Sequence, residues 1–329
     1  MKALIYEGPE KLAMRDAPEP VPAVGQQLIK IGAVGICGSD MHAFLGHDER
    51  RPAPLILGHE AAGVIASGPR SGDRVTINPL VTCGRCNACI SGQDNLCADR
   101  MIISMPPREG AFAQYVTMRD ENLVTVPDHV SLEKASLAEP IACGWHAVRL
   151  AKERLGTGSH TALVIGGGAI GLGAALSLVA QGIHDITIVE PNALRRDYLI
   201  KNCRQNAVSP DDLTAQMMFD IVIDGVGYAA TRATASAHTR PGGVIAHIGL
   251  GEGTGGLDIR RMTLQEITFI GTYTYTAQDF RDTAQAIFNG RLGPLDWIET
   301  RPLADGAAAF ADIRAGRTPA PKIILHPNP

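Results

Sequence analysis

TALVIGGGAIGLGAALSLVA, residues 161–180, carries no charged side chain and is long enough to cross a bilayer as a single helix. Three adjacent glycines, Gly166, Gly167 and Gly168, argue against that reading. In mid-helix each would cost about 1 kcal/mol relative to alanine, whereas between a short apolar strand and a following helix they are what a tight turn needs. The stretch therefore reads as strand, glycine turn and helix in a soluble chain, with no membrane partner.

Gly166 to Gly171 also fits the spacing G-x-G-x-x-G, a weak motif alone and a stronger one in this context. Gly166 permits the turn, Gly168 lets a pyrophosphate approach backbone amides, and Gly171 lets the helix pack close to the strand. Ala169 and Ile170 open that helix, whose N-terminus faces the phosphate charge. The pattern also asks for an acid about 20 residues on, at the end of the next strand, and Glu190 closes DITIVE there. Its carboxylate would accept hydrogen bonds from an adenosine ribose and repel a 2'-phosphate, favouring NAD over NADP. Arg195 and Arg196 keep NADP open, since an arginine near that ribose can hold the extra phosphate; alternatively one covers the adenine ring and the other is solvated.

Outward from this turn the alternation continues. ALRRDYLIKN and ATRATASAHTR look helical between the apolar strands FDIVIDGVG, GGVIAHIGL and ITFIGTYTY, which predicts an α/β, doubly wound parallel Rossmann sheet over 145–277. QDFRDTAQAIFNGRL is an amphipathic helix, and PKIILHP is a strand expected to carry 278–329 back to the first domain. That domain, 1–144, has short alternating strands (KALIYE, QLIKIGAVG, EAAGVIAS, DRVTI, AQYVTM) punctuated by Gly and Pro, the pattern of an antiparallel, barrel-like unit.

Within it, CGRCNACISGQDNLC (83–97) crowds four of the seven cysteines into a polar loop. Cys83, Cys86, Cys89 and Cys97 can bring four thiolates to the corners of a tetrahedron about a zinc, with metal–sulfur distances of about 2.3 Å. Four protein ligands leave no open position, so this site is structural. At 45% hydrophobic and 19% charged residues, 329 residues are enough for two well-buried domains. A net charge of −4 with no basic stripe argues against a nucleic-acid partner. MKALIYEGPEKL does not read as a signal peptide, and thiolate zinc ligands suit a reducing cytoplasm.

Two more stretches stand out, GICGSDMH (35–42) and GHE (58–60). A lone cysteine after a strand is ordinarily core and a lone histidine ordinarily a satisfied polar group. Taken with GHEAAGV, GDRV, the cysteine lobe, AEP (138–140), GGGAIG and the KIIL strand, they make the chain resemble the zinc-dependent medium-chain alcohol dehydrogenases over essentially its whole length. The resemblance implies a GroES-like catalytic domain and two zinc ions per chain, one structural and one catalytic. Cys37 and His59 would ligate the catalytic ion. Relatives acting on simple alcohols tend to use cysteine as third ligand, whereas the polyol and sugar-alcohol branch places a glutamate before proline, here Glu139-Pro140. Cys143 is the rival, in a stretch (IACGWHAV) that reads as packed helix. Glu60 is an alternative fourth ligand or a neighbour exchanging with water.

A zinc with three protein ligands makes an alcohol more acidic at its open position. Ser39 would take the hydroxyl proton and His42 would carry it to solvent; an ordinary exposed histidine is the alternative for His42. Sorbitol-type relatives carry an aromatic residue where this chain has Ala43, with Phe44 one place on. His47, Asp48, Arg50 and Arg51 near the expected cleft mouth suit an acidic sugar, or form a solvated loop. The connection IASGPRSGDRV is short for the family. A homodimer or homotetramer would form through the edge strand ITFIGTYTY. The combined reading is NAD-linked oxidation of a secondary hydroxyl on a polyol, sugar acid or related small alcohol. The rivals are an amino-alcohol dehydrogenase, an NADP-linked aldehyde or ketone reductase, and a zinc-stabilised dinucleotide sensor without turnover.

Overall fold

In the computed structural model, which describes residues 1–328, the glycine turn behaves as its sequence requires. Gly166 has a φ of 97°, in the left-handed region, and a Cβ there would lie 2.5 Å from Val226 Cγ2. A Cβ on Gly171 would lie 1.7 Å from the Gly166 carbonyl oxygen, so helix Ala169–Ala180 can start here only without one. Strand Thr161–Ile165 feeds this turn from the middle of a six-stranded, wholly parallel sheet. The spatial order is Ala207–Val208, Asp185–Val189, Thr161–Ile165, Phe219–Asp224, Thr239–His247, Thr268–Gly271. The order reverses direction at Thr161–Ile165, so the turn lies at the switch point where doubly wound sheets bind ligands. The central strands are apolar without alternation because helices cover both faces.

The other large sheet is mostly antiparallel. Its path runs Leu123–Thr125, Arg74–Ile77, Glu60–Ile65, Gln26–Gly35, Lys322–His326, Ile298–Pro302, and Tyr115–Arg119 also pairs with Gln26–Gly35. Lys322–His326 thus inserts beside a strand formed almost three hundred residues earlier, with Ile324 opposite Gly35 and Leu325 opposite Val34. A smaller sheet joins Lys11–Asp16, Lys2–Gly8 and Leu55–Ile56. Helix Gly306–Arg314 closes this core with Phe310, whose ring lies 5.2 Å from that of Phe44 and 6.0 Å from that of Phe112.

Helix Ala138–Leu155 joins the two sheets and runs unbroken across residue 144. Gly144 lets it approach the glycine-turn helix closely, since a Cβ there would sit 2.6 Å from Ala174 Cα. Helix Ala277–Phe288 packs against the same helix through buried Phe280 and Ala284. Among the described residues no helix is long and apolar enough to cross a membrane.

Candidate active site

Strand pairing assembles the site. Gly35 lies opposite Glu60 in the antiparallel register, so the residues just beyond each strand end, Cys37 on one side and His59 on the other, are brought together. Cys37 is the N-cap of helix Gly38–Phe44, and Asp40 folds back so that its Oδ2 accepts the Cys37 amide at 3.0 Å. Asp40 Oδ1 accepts the Gly58 amide at 3.2 Å and lies 3.5 Å from His59 Nδ1. Ser104 Oγ is 3.3 Å from the same nitrogen. With Nδ1 engaged on that side, Nε2 is the nitrogen left for a ligand, the usual way a carboxylate orients a metal-binding imidazole. Burial works against a charged His59, but Asp40 and Cys37 outweigh it and hold its pKa well above the ordinary value.

One ligand atom each from Cys37, His59 and Glu60 lie within 4.8 Å of one another. Glu60 is not a free carboxylate: Lys322 Nζ donates to its two oxygens at 2.7 and 2.6 Å and to the Ile36 carbonyl at 2.8 Å, all buried. Glu139 stands outside this group of three. It sits in the first turn of helix Ala138–Leu155, 5% exposed, where its Oε1 accepts the Tyr275 hydroxyl at 2.7 Å. Burial, the leading effect, raises the Glu139 carboxyl above its ordinary range; nearby Glu60 adds to this, and His59, Tyr275 and Lys322 oppose it. A buried acid with only a neutral donor is a place where a cation would settle. Cys143, one turn along, is also outside the group, and burial followed by the charge of Glu139 pushes its thiol well above the usual value.

Ser39 and His42 ride half-buried on the helix that Cys37 begins. The adjoining loop is not uniformly solvated: Arg50 is exposed and paired with Asp48, but Arg51 is buried and donates to the Ser39 carbonyl at 2.7 Å.

The four lobe cysteines also converge within 4.8 Å. Sulfur separations of 3.9 Å for Cys83–Cys89 and 3.5 Å for Cys86–Cys89 bracket the tetrahedron edge of about 3.8 Å that zinc–thiolate bonds of about 2.3 Å imply. The amides of Arg85 and Cys86 pull the Cys83 thiol down to about 6, making it a thiolate at neutral pH. The pairing of Leu80–Val81 with Met101–Ile102 closes the base of the lobe.

At the glycine turn Glu190 is buried, its Oε2 accepting the Gly167 amide and its Oε1 the Asn192 amide, both at 2.8 Å. A Cβ on Gly168 would have Arg195 Nη1, at 3.8 Å, as its nearest neighbour, so the space above that amide is open and faced by a cation. Arg195 also donates to the Thr318 carbonyl, and Arg196 to the Glu190 carbonyl, so neither arginine is merely solvated.

Sequence reasoning missed Asp40, Ser104, Lys322 and Tyr275. Asp40 had a local signal, since C-G-S-D places an acid at the third helical position after a cap. A lone lysine in the apolar run KIIL hinted at a buried partner. Ser104 and Tyr275 had no comparable signal.

Residues 23–128 match the alcohol dehydrogenase GroES-like domain, and residues 169–289 match the zinc-binding dehydrogenase family. The sorbitol dehydrogenase of Bacillus subtilis (strain 168) is 36% identical over 268 residues, 76% of this chain and 75% of that protein. The L-galactonate-5-dehydrogenase of Escherichia coli (strain K12) is 30% identical over 307 residues, 89% of this chain and 88% of that one. A solved Escherichia coli oxidoreductase of unknown specificity superposes with a TM-score of 0.90 at 27% identity, over 99% of this chain and 98% of that one. With family models matching 23–128 and 169–289 and these relatives matching most of its length, the chain belongs to the zinc-dependent, NAD(P)-linked medium-chain alcohol dehydrogenases, on their polyol dehydrogenase-like branch.

Proposed function

We propose that this enzyme oxidises a secondary hydroxyl of a polyol or sugar acid, with hydride passing to NAD. The observation that carries the reading is the convergence of Cys37, His59 and Glu60 beside buried Glu139. The 36% identical sorbitol dehydrogenase and the 30% identical L-galactonate-5-dehydrogenase support the substrate class.

Cys37 and His59 would hold the catalytic zinc with Glu139 as the third ligand. Glu60 already has an ammonium on both oxygens, whereas Glu139 has one neutral donor and a second oxygen without one. Zinc would supply the Lewis acidity that lets an alcohol lose its hydroxyl proton near neutral pH. Ser39 Oγ accepts that proton, and His42, three residues along the same helix, passes it to solvent. Cys83, Cys86, Cys89 and Cys97 hold a second zinc that orders the lobe. Gly166, Gly168, Ala169, Ile170 and Gly171 seat the pyrophosphate. Glu190 disfavours a 2'-phosphate, and Arg195 faces the phosphates across Gly168.

The division into 1–144, 145–277 and 278–329 is part of the same proposal, with helix Ala138–Leu155 bridging the first boundary. Seven free thiols support a reducing cytoplasm. Association as a dimer or tetramer through edge strand Thr268–Gly271 is supported by exposed Phe269, Ile259 and Leu264 nearby.

The test is NADH formation by zinc-loaded enzyme across a panel of polyols, aldonates and amino alcohols, repeated with NADP. Turnover of a polyol or aldonate with NAD is the expected result. A zinc-replete sample that oxidises no alcohol sinks the proposal.

A further inference from the structure

Between strand Thr268–Gly271 and helix Ala277–Phe288 the chain makes a short passage that its own sequence does not favour. Thr274 has a φ of 48°, in the left-handed region that β-branched residues avoid, and its buried Oγ1 has no hydrogen-bond partner. Backbone of this kind persists only where its surroundings over-determine it.

The surroundings here are the cysteine lobe. Asn95, buried, donates through Nδ2 to the Tyr273 carbonyl at 2.8 Å, across 178 residues of sequence. Asp94 accepts the Ala277 amide with both carboxylate oxygens, at 3.2 and 3.0 Å, placing its charge at the helix N-terminus. The Arg100 guanidinium lies 4.6 Å over the Tyr273 ring. Asp94 and Asn95 belong to the turn Asp94–Leu96 that leads directly into Cys97. The passage is thus gripped at residue 273 and at residue 277 by side chains lying between two lobe cysteines, Cys89 and Cys97.

Midway between those two grips is Tyr275, 1% exposed, with its hydroxyl on Glu139 Oε1. We propose that Tyr275 is a positioning residue for Glu139, and that the lobe, through Asp94 and Asn95, holds Tyr275 in place. The closed four-cysteine site would then do more than stabilise the fold: it would anchor the orientation of a carboxylate at the other metal site. The inference rests on Glu139 being a ligand of the catalytic metal, as proposed above.

The test uses full-length enzyme with cobalt(II) at the catalytic site, whose visible absorption reports its coordination. Tyr275→Phe, Asp94→Ala and Glu139→Ala are compared with the parent in three readouts: the cobalt spectrum, the rate of metal loss to a chelator, and kcat and KM separately. Tyr275→Phe is expected to keep the fold and the lobe metal, alter the spectrum, and speed catalytic-metal loss by roughly ten- to a hundredfold. It should lower kcat with KM for NAD unchanged. Asp94→Ala is expected to show the same signature more weakly, although its side chain hydrogen-bonds to Ala277 and to neither Tyr275 nor Glu139. If Asp94→Ala does not fold, Asn95→Ala, which removes a single hydrogen bond, carries the comparison. A change with Glu139→Ala but none with Tyr275→Phe overturns the inference alone. A change with Tyr275→Phe but none with either lobe variant overturns the lobe's part in it. No change with any of the three removes the ligand assignment, and the inference with it.

Discussion

Lys322 Nζ lies within 2.7 Å of both carboxylate oxygens of Glu60, two charges 262 residues apart in sequence, with side chains 3% and 1% exposed. Removing one member of such a pair leaves the other charged and buried, typically a loss of about 3–5 kcal/mol. Lys322→Met should therefore destabilise the enzyme by about that much in denaturant unfolding. Adding Glu60→Gln should recover part of the loss, because the uncompensated charge is gone. Additive losses would show that the two side chains do not act as a pair.

The two cysteine-bearing sites should separate by metal analysis. Cys37→Ala is expected to fold with one zinc per chain, down from two, and to lose activity. Cys97→Ala should lower the melting temperature steeply, since metal binding in small zinc domains supplies folding free energy on the order of 10 kcal/mol. A Cys37→Ala protein that keeps both ions contradicts the catalytic assignment.

Glu190 accepts the Gly167 and Asn192 amides, and in the proposed function it would also face the cofactor ribose. Each hydrogen bond to a charged group is worth about 1.5–3 kcal/mol. Glu190→Ala should therefore raise KM for NAD by roughly tenfold or more and relax discrimination against NADP. The ratio of kcat/KM for the two cofactors measures it. An unchanged ratio would move cofactor choice to Arg195 or elsewhere.

Asp279 ties helix Ala277–Phe288 to helix Ala138–Leu155: it accepts from His146 Nδ1 at 2.7 Å, from Arg149 at 2.7 Å and from the hydroxyl of its own helix cap, Thr276, at 2.7 Å. Burial alone would raise its pKa, but these partners outweigh burial and depress it strongly. A depressed carboxylate contributes stability that is complete above its unfolded pKa, about 3.9, and is lost as pH falls below that value. Asp279→Asn should cost about 3 kcal/mol at neutral pH and flatten the acid limb of the stability curve below pH about 4. Parallel acid limbs in mutant and parent would assign that pH dependence to other carboxylates.

What could be read without coordinates was chemistry written within a short span. The glycine turn and the cysteine lobe each state their purpose in under twenty residues, because turn geometry and ligand spacing are local properties. Cys37 and His59 were legible one at a time, yet their meeting depends on the register that sets Gly35 opposite Glu60, which neither stretch encodes alone. The partners that hold the carboxylates were least legible. Lys322 reaches Glu60 across 262 positions and Tyr275 reaches Glu139 across 136, and only the folded topology brings them close. The charges of GHDERR divided in the same way: Arg50 stayed in solvent, and Arg51 was buried against the Ser39 carbonyl.

Strand Lys322–His326 occupies a slot beside Gln26–Gly35 that cannot be filled until almost three hundred further residues have been made. A nascent chain can close its cysteine loop early, but it must wait for this late segment before the charge of Glu60 is answered. Order within the lobe can therefore precede the buried Glu60–Lys322 pair, which needs both ends of this long separation in place.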